Sequence, residues 1–225
     1  MSDRSIIRDD STSLVVWLHG LGDTPDGWFE QCRHFATKLE TTSFVCPCAP
    51  TSPVSCNGGY SMTSWMDLLE IPIKPSSPDN GKFQEENIKK ICDLIDEKRK
   101  SLGGLSASSV VVAGFSQGAA LALATACRYK EPLGGCVVLS GWALPKQDIA
   151  SQLKKRSDVV KNTKFCVCHG ESDNVVLTSC GKNVNEILSK SGCNVSFSTY
   201  RHMAHSSCAE EMGDVLEFLS GCFSS

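Results

Sequence analysis

The stretch Val110-Val111-Val112-Ala113-Gly114-Phe115-Ser116-Gln117-Gly118-Ala119-Ala120-Leu121 is the part of the sequence on which the fold prediction depends. Its β-branched start predicts a buried strand, and the alanine-rich residues that follow predict a helix. Between them lies a G-x-S-x-G pattern, which in a strand–turn–helix context is typical of a nucleophile elbow. Glycine two residues to either side of Ser116 lets neighbouring backbones approach a tight, strained turn. The alternative is an ordinary glycine-rich turn, so the interpretation depends on whether further catalytic groups follow in order.

Short apolar runs and amphipathic patterns alternate along the rest of the chain. Apolar or alternating runs predict strands at residues 14–18, 44–46, 135–140, 165–169 and 195–200, the last as an outer strand. Helical spacing predicts helices at residues 28–39 and 85–100, one around 184–192 and a closing helix through 208–219. This alternation predicts an α/β fold with a mostly parallel sheet and helices on both faces. We expect one domain over the 225 residues, because no repeat or shift in composition divides them.

Residues 47–81 break this pattern. Six of the nine prolines lie there, together with Gly58-Gly59 and several serines. The segment is nevertheless too apolar for a solvated linker, since it carries Tyr60, Met62, Trp65, Met66, Leu68, Leu69 and Ile71. Long irregular segments inside compact domains are often functional, and we predict a loop that covers the carboxyl edge of the sheet. The alternative is a proline-rich connection that simply packs against the core.

The charge pattern excludes several classes of protein. The net charge is −3, from 22 basic and 25 acidic residues, and these are scattered rather than gathered into a basic stripe that would bind nucleic acid. There is no apolar run long enough to span a bilayer, and the amino-terminal residues lack the apolar core of a signal peptide. We therefore expect a soluble, cytoplasmic protein.

Thirteen cysteines are an unusually high number for such a chain. Cys46 and Cys48, like Cys166 and Cys168, are spaced to lie on one face of a strand, but no second pair follows at the spacing of a zinc site. We interpret most of the thiols as small buried hydrophobic groups and predict no metal. The end of the chain, from Cys222, has the outline of a prenylation signal with poor residues at the aliphatic positions, so its lipidation stays open.

The remaining parts of a serine hydrolase site occur in the order that the elbow requires. In this fold an acid and then a histidine follow the serine, each after a later strand. His202 and His205 are the two histidines that follow the last predicted strand, and we choose His205 as the base because it precedes the closing helix. For the acid we choose Asp173 over Glu171, since the apolar Val175 and Val176 after it would fix that loop to the body.

Acyl transfer also requires two donors for the oxyanion. The backbone N–H of Gln117 follows the serine directly. The loop after the first buried strand offers the N–H of Leu21, which lies between Gly20 and Gly22. We interpret the nearby His19 as a residue that braces this loop.

Several motifs together resemble the acyl-protein thioesterase/lysophospholipase family of α/β-hydrolases. These are Leu18-His19-Gly20-Leu21-Gly22-Asp23, Cys46-Pro47 with Ala49-Pro50, Met62-Thr63-Ser64-Trp65-Met66-Asp67, Gly114-Phe115-Ser116-Gln117-Gly118, Leu139-Ser140-Gly141-Trp142, His169-Gly170 with Asp173, and His205-Ser206-Ser207. The resemblance runs from Leu14 to Phe218. The elbow alone is shared by many esterases, whereas the first, third and last of these motifs in combination are far more specific.

The resemblance implies an α/β-hydrolase fold with a catalytic triad of Ser116, Asp173 and His205 and an oxyanion hole formed by the amides of Leu21 and Gln117. It also implies an acyl channel, lined by Leu68, Leu69, Ile71, Trp142, Leu144 and Val175. Family members work in the cytosol without a cofactor on S-acylated proteins, lysophospholipids or small acyl esters. The chain departs from the family pattern at Asn174 and Leu177, where prolines are usual, and before the base, where Arg201–Ala204 is bulkier. These departures lie at the rim of the site and affect the expected chain-length preference.

Two alternatives remain open at this point. One is a short-chain carboxylesterase or deacetylase, which uses the same triad while side chains of the covering loop block the channel. The other is a non-catalytic ligand sensor on a hydrolase fold, which the complete ordered triad disfavours. The apolar covering loop also leaves open a transient contact with a membrane surface, and a monomer or a weak homodimer.

Overall fold

The computed structural model describes residues 2–224. Its strands are β1 (Arg4–Ile6), β2 (Ser13–Leu18), β3 (Thr42–Cys46), β4 (Thr51–Val54), β5 (Tyr60–Thr63), β6 (Val110–Phe115), β7 (Gly135–Leu139), β8 (Lys164–Gly170) and β9 (Asn194–Tyr200). Its α-helices are α1 (Asp26–Ala36), α2 (Gln84–Ser101), α3 (Gln117–Arg128), α4 (Ile149–Lys155), α5 (Ser157–Asn162), α6 (Thr178–Lys190) and α7 (Ala209–Phe223). Within these residues no helix combines the length and the apolar character that crossing a bilayer would require.

Seven strands form one sheet in the order β1-β3-β2-β6-β7-β8-β9. Every neighbouring pair is parallel except β1 with β3, which is antiparallel. The mostly parallel sheet predicted from the sequence is therefore confirmed. The sequence analysis did not predict β1, because its three residues Arg-Ser-Ile carry no periodic signal. The outer position predicted for residues 195–200 is observed, since β9 ends the sheet.

The two faces of the sheet pack against different helices. Alternate residues of β2 point to opposite sides, so that Val16 lies in the core with helices α2 to α6 while Trp17 lies in the core with α1 and α7. Strands β2 and β7 are buried at every position and β6 at every position except Phe115. Burial on both faces explains why these strands read as continuous apolar runs.

The covering segment, residues 47–81, contains more regular structure than the sequence predicts. Strands β4 and β5 form an antiparallel hairpin, and Gly58 and Gly59 turn it at φ values of 65° and 80°. Pro53 lies inside β4. A proline within an apolar run usually argues against a strand, because it cannot donate a ladder hydrogen bond. It is tolerated here because each strand of a two-stranded hairpin has a free edge. Further along, Ile73 forms a parallel bridge with Val176, which joins the covering segment to the loop after β8.

All thirteen cysteines are free, and nine of them are buried. Burial raises the pKa of Cys180 to about 12 and that of Cys92 to about 11, so both are protonated at neutral pH. Cys222 lies within α7 and is only 6% exposed, so its thiol is not accessible in this conformation. Across the described part of the chain, no group of three or more His, Cys, Asp or Glu side chains could hold a metal ion.

Glu211 in α7 is a carboxyl group buried without a partner. Its exposure is 0%, and within residues 2–224 neither carboxyl oxygen has a hydrogen bond. Burial is the main cause that raises its pKa to about 8, and the nearby Cys166 and Asp214 add to it. The carboxyl group is therefore neutral in the folded protein at pH 7, whereas in the unfolded chain it ionises near its ordinary value of 4.5.

Replacing Glu211 by glutamine should change how stability depends on pH. Because the folded pKa of Glu211 exceeds the unfolded one, the wild type loses stability as the pH rises from 4.5 to about 8. Glu211→Gln should match the wild type below about pH 4 and exceed it above pH 8, by at most about 5 kcal/mol at ~1.4 kcal/mol per pKa unit. Urea unfolding of both proteins across this pH range measures the difference. A difference that does not vary with pH would contradict the assignment.

Candidate active site

Ser116 occupies the turn between β6 and α3 in a strained conformation, with φ 55° and ψ −120°. Its N–H donates to the carbonyl of Leu139 at 2.8 Å, and its own carbonyl accepts the Ala120 N–H at 3.1 Å. A Cβ at Gly114 would lie 2.5 Å from the Gly118 carbonyl carbon, and a Cβ at Gly118 would collide with the carbonyl oxygens of Leu18 and His19. The two glycines therefore allow the elbow predicted from the G-x-S-x-G pattern to form.

The structure brings together the three side chains that the sequence predicts as a triad. His205 Nε2 lies 2.9 Å from Ser116 Oγ, and His205 Nδ1 lies 2.7 Å from Asp173 Oδ2. Ser116 follows β6, Asp173 follows β8 and His205 follows β9, so all three lie at the carboxyl edge of the sheet. The His205 ring packs against Phe115, with ring centroids 4.7 Å apart. The result is one continuous chain of hydrogen bonds from hydroxyl to imidazole to carboxylate.

Asp173 is buried and well supplied with donors. Its Oδ1 accepts the N–H groups of Val175 and Val176, both at 2.9 Å. Burial by itself would raise the pKa of Asp173, but hydrogen bonds from His169, His205 and the Val175 amide outweigh it and hold the pKa well below its ordinary range. The carboxylate is therefore ionised at neutral pH, and its position is fixed by the loop after β8.

His169 belongs to one of the family-like motifs, and the structure places it beside Asp173. It is completely buried at the end of β8, where Nε2 lies 2.8 Å from the Val176 carbonyl and 3.4 Å from Asp173 Oδ2. Because Nε2 faces two oxygen acceptors, it carries the proton. His169 thus adds a second imidazole N–H beside the carboxylate that contacts His205.

The alternative base, His202, and the alternative acid, Glu171, are both exposed. His202 is exposed and sits at φ 61° in the turn after β9, whereas His205 three residues later contacts the serine. Glu171, the rival acid, is exposed, and its Oε1 accepts a hydrogen bond from Thr199 Oγ1 at 2.9 Å. Sequence order alone could not distinguish His205 from His202 or Asp173 from Glu171. The loop geometry distinguishes them, because only His205 and Asp173 are hydrogen-bonded to each other.

Both residues whose amides are predicted to bind the oxyanion lie beside Ser116: Leu21 lines the same cavity, and Gln117 follows Ser116 in the chain. Leu21 and Gly20 line the same cavity as Ser116, and a Cβ at Gly20 would lie 3.5 Å from Ser116 Cβ. Gln117 is the first residue of α3, so its N–H lacks an acceptor within the helix. The amino end of a helix favours negative charge, so this position suits a developing oxyanion. His19 braces the neighbouring loop: its Nε2 accepts the Ala49 N–H at 3.1 Å and its Nδ1 donates to the Gly20 carbonyl at 2.8 Å.

A cavity of about 210 Å³ opens beside the three side chains. Four of the six residues predicted for an acyl channel line it, and these are Leu68, Ile71, Trp142 and Val175. Phe115, Ile73 and Val176 also line it, although the sequence did not predict them there. Ile73 and Val176 reach the wall through the bridge between the covering segment and the loop after β8, a contact that local sequence patterns do not reveal.

The structure corrects the prediction for Leu69 and Leu144. Neither side chain lines the cavity beside Ser116; both lie at a second, much smaller hollow of about 20 Å³ on the other side of Trp142. Leu68 lines both hollows and is 8% exposed, whereas its neighbour Leu69 lines only the smaller one and has 37% of its surface exposed. Leu144 is 2% exposed and belongs to the hydrophobic core under Trp142.

Two helical glycines provide a matched test of the close packing at the elbow. Gly118→Ala should strongly destabilise the protein, because its Cβ would overlap the backbone after β2. Gly213→Ala in α7 meets nothing within 4 Å and should stabilise the protein by up to about 1 kcal/mol through helix propensity. Urea unfolding of the two variants measures both effects. Equal effects of the two substitutions would contradict the packing described here.

Comparison with known proteins gives a consistent result. The profile of the family described as phospholipase/carboxylesterase matches residues 6–223. The chain is 34% identical over 201 residues to carboxylesterase SOBER1 of Arabidopsis thaliana, covering 89% of this chain and 86% of that protein. It is 33% identical over 214 residues to acyl-protein thioesterase 1 of Candida albicans, covering 92% and 90%.

Solved structures agree with these relatives. The crystal structure of Arabidopsis thaliana SOBER1 has a TM-score of 0.86 at 32% identity, covering 94% of this chain and 99% of that one. The crystal structure of Zea mays acyl-protein thioesterase 2 has a TM-score of 0.81 at 26% identity and covers 99% of both chains. The resemblance read from the motifs is confirmed: the chain belongs to the phospholipase/carboxylesterase family of α/β-hydrolases and is a hydrolase of the thioesterase/carboxylesterase type.

Proposed function

We propose that this protein is a serine hydrolase that cleaves acyl thioesters and esters through an acyl-enzyme, with Ser116 as nucleophile, His205 as base and Asp173 as the orienting acid. The observation that carries the proposal is the unbroken hydrogen-bond chain from Ser116 Oγ through His205 to Asp173, beside a largely apolar cavity. Nucleophile, base and orienting group within hydrogen-bond reach are the signature of nucleophilic catalysis.

In the first half-reaction Ser116 Oγ attacks the acyl carbonyl carbon of a substrate in the cavity. The bond from His205 Nδ1–H to Asp173 leaves a lone pair on Nε2, which faces Ser116 Oγ and takes its proton. The ionised Asp173 fixes this tautomer and stabilises the imidazolium that forms. The carbonyl oxygen becomes an oxyanion, which the amides of Leu21 and Gln117 would hold at the amino end of α3.

The tetrahedral intermediate then collapses. The bond from the carbonyl carbon to the thiol sulfur or alkoxy oxygen breaks, and the proton on His205 Nε2 passes to that leaving group. In the second half-reaction His205 removes a proton from water, the water oxygen attacks the ester carbonyl on Ser116, and the returned proton regenerates the serine hydroxyl as the free acid leaves. No cofactor takes part in this sequence.

The relatives indicate the substrate class. They include proteins named acyl-protein thioesterase and carboxylesterase. These names support S-acylated proteins as the main substrates, with lysophospholipids and small acyl esters as related substrates. Tyr60, Leu69 and Ile71 of the covering segment are exposed large apolar side chains, and Ile71 lines the cavity as well. An apolar rim of this kind supports access to an acyl group that is presented at a protein or lipid surface.

The size of the cavity favours a second candidate, a carboxylesterase for short acyl groups. At about 210 Å³ the cavity is smaller than the ~300–1,000 Å³ typical of sites for drug-sized ligands. Leu68, Ile73 and Trp142 lie between this cavity and the small hollow beyond it. A long acyl chain would enter only if these side chains moved, whereas a short one fits the observed conformation.

The triad assignment predicts a specific pattern of covalent labelling by a fluorophosphonate. The wild type should react, Ser116→Ala should not, and Asp173→Asn and His205→Ala should react at least about a thousandfold more slowly, because triad members act as a unit. His202→Ala is the control and should react like the wild type, since that side chain is exposed and does not line the cavity beside Ser116. Labelling that depends on His202 and not on His205 would overturn the base assignment. No labelling of the wild type would favour the ligand-sensor alternative.

A series of acyl esters and thioesters of increasing chain length separates the two candidates. If the cavity keeps its observed size, kcat/KM should peak at short chains and fall by about tenfold or more at long ones, and Ile73→Ala should move the optimum to longer chains. Initial rates on matched ester and thioester substrates give the measurement. A rate that rises steadily to long chains would show that the covering segment yields and would favour the acyl-protein thioesterase.

A further inference from the structure

The side chain of Gln117 does not serve the substrate cavity but ties the elbow to the covering segment. It is fully buried, its Oε1 accepts the Trp65 N–H at 2.7 Å, and its Nε2 donates to the Met66 carbonyl at 2.9 Å and to Ser64 Oγ at 3.1 Å. The Gln117 side chain thus connects residues 64–66 to the residue whose backbone amide follows the nucleophile. These bonds are buried, so water does not compete for their donors and acceptors in this conformation.

Trp65 makes the corresponding connection to the other oxyanion loop. The side chain is completely buried, and its indole N–H donates to the His19 carbonyl at 2.8 Å, two residues before Leu21. Burial lowers the pKa of His19, which is consistent with a neutral ring that accepts the Ala49 N–H. Trp65 therefore contacts the Gln117 side chain through its backbone and the Leu21 loop through its ring.

A second pair of bonds reinforces the same loop. The Gly22 N–H donates to the Thr63 carbonyl at 2.8 Å, and Thr63 Oγ1 donates to the Asp23 carbonyl at 2.6 Å. On the far side, Asn87 of α2 donates through Nδ2 to the Trp65 carbonyl at 2.7 Å. Residues 63–66 are therefore fixed to α2 on one side and to both oxyanion loops on the other.

We propose that residues 63–66, which we call the clamp, set the spacing between the Leu21 and Gln117 amides. Two positioning groups connect the clamp to its neighbours: the Gln117 side-chain amide joins it to the elbow, and the Trp65 indole N–H joins it to the Leu21 loop. This inference rests on the proposed function, because it concerns the oxyanion hole of that reaction. Neither group touches the substrate. Each acts through the backbone N–H that it locates, and a small displacement of such a donor costs much of its stabilisation of the transition state.

Trp65→Phe and Trp17→Phe form a matched pair. Both tryptophans are fully buried, but they lie on opposite faces of the sheet, and the Trp17 indole N–H has no hydrogen-bond partner within residues 2–224. The two substitutions remove the same atoms from the core, and only Trp65→Phe releases an oxyanion loop. Gln117→Met breaks the other connection while keeping the side-chain length. Thr63→Val is a nearly isosteric change at a partly buried position and removes the bond to the Asp23 carbonyl.

The measurements are kcat and KM per active site, counted by fluorophosphonate titration, and the affinity of a trifluoromethyl ketone with the same acyl chain, which forms a tetrahedral oxyanion on the serine. Trp65→Phe and Gln117→Met should lower kcat about tenfold to a hundredfold with KM within about threefold, and should weaken ketone binding by the factor lost in kcat/KM. Thr63→Val should cause a smaller loss of the same kind. Trp17→Phe should lower thermal stability and leave kcat and ketone affinity within about twofold of the wild type.

Equal kcat values for Trp65→Phe and Trp17→Phe, or an unchanged ketone affinity in Gln117→Met and Thr63→Val, would overturn the clamp. If the Trp65→Phe protein does not fold, the Gln117 and Thr63 variants decide the question. A wild type without Ser116-dependent hydrolysis would instead reject the proposed function. An active wild type whose clamp variants bind the ketone normally rejects the clamp alone.

Discussion

Ser116 keeps a backbone conformation that L-residues rarely adopt, and it does so because α3 presses its first turn against the end of β2. At the contact, Gly118 lies so close to the carbonyls of Leu18 and His19 that no side chain would fit. The buried strands on either side of β6 hold this approach in place, since the sheet cannot widen without breaking its ladder of hydrogen bonds. The packing of the core therefore sustains the strain that presents the hydroxyl.

The same constraint explains why groups distant in sequence meet. Parallel strands end at one edge, so the loops after β2, β6, β8 and β9 all open on the same space. The loop after β8 is short and is stiffened by the amides of Val175 and Val176 on Asp173, so the carboxylate can order the imidazole at little further entropic cost. The buried Asp173 carboxylate stays ionised because the N–H groups of Val175 and Val176, His205 Nδ1 and His169 Nε2 surround it with donors.

The parts of the fold and site that could be predicted from the sequence depend on local signals. The run Val110–Phe115, the glycines around Ser116, the apolar residues after Asp173 and the closing helix after His205 are such signals. They led to the sheet and to three side chains that the structure brings together. Strand β1 and the hairpin β4–β5 were missed because three residues or an internal proline carry little periodic information. Leu69 and Leu144 were misplaced because orientation within an irregular segment depends on tertiary packing, which alternation in sequence does not encode.

The covering segment combines two roles that are usually separate. Residues 63–66 are bonded to the core through buried donors and acceptors, while Leu68, Ile71 and Ile73 only a few residues later form the wall of the cavity. A segment anchored in this way at one end cannot swing as a rigid lid, because each buried hydrogen bond that opens would leave polar groups unsatisfied. Adaptation to a larger substrate must therefore come from side chains and from residues after Asp67. If the proposed function holds, chain-length selectivity and oxyanion geometry can change independently within one continuous stretch of chain.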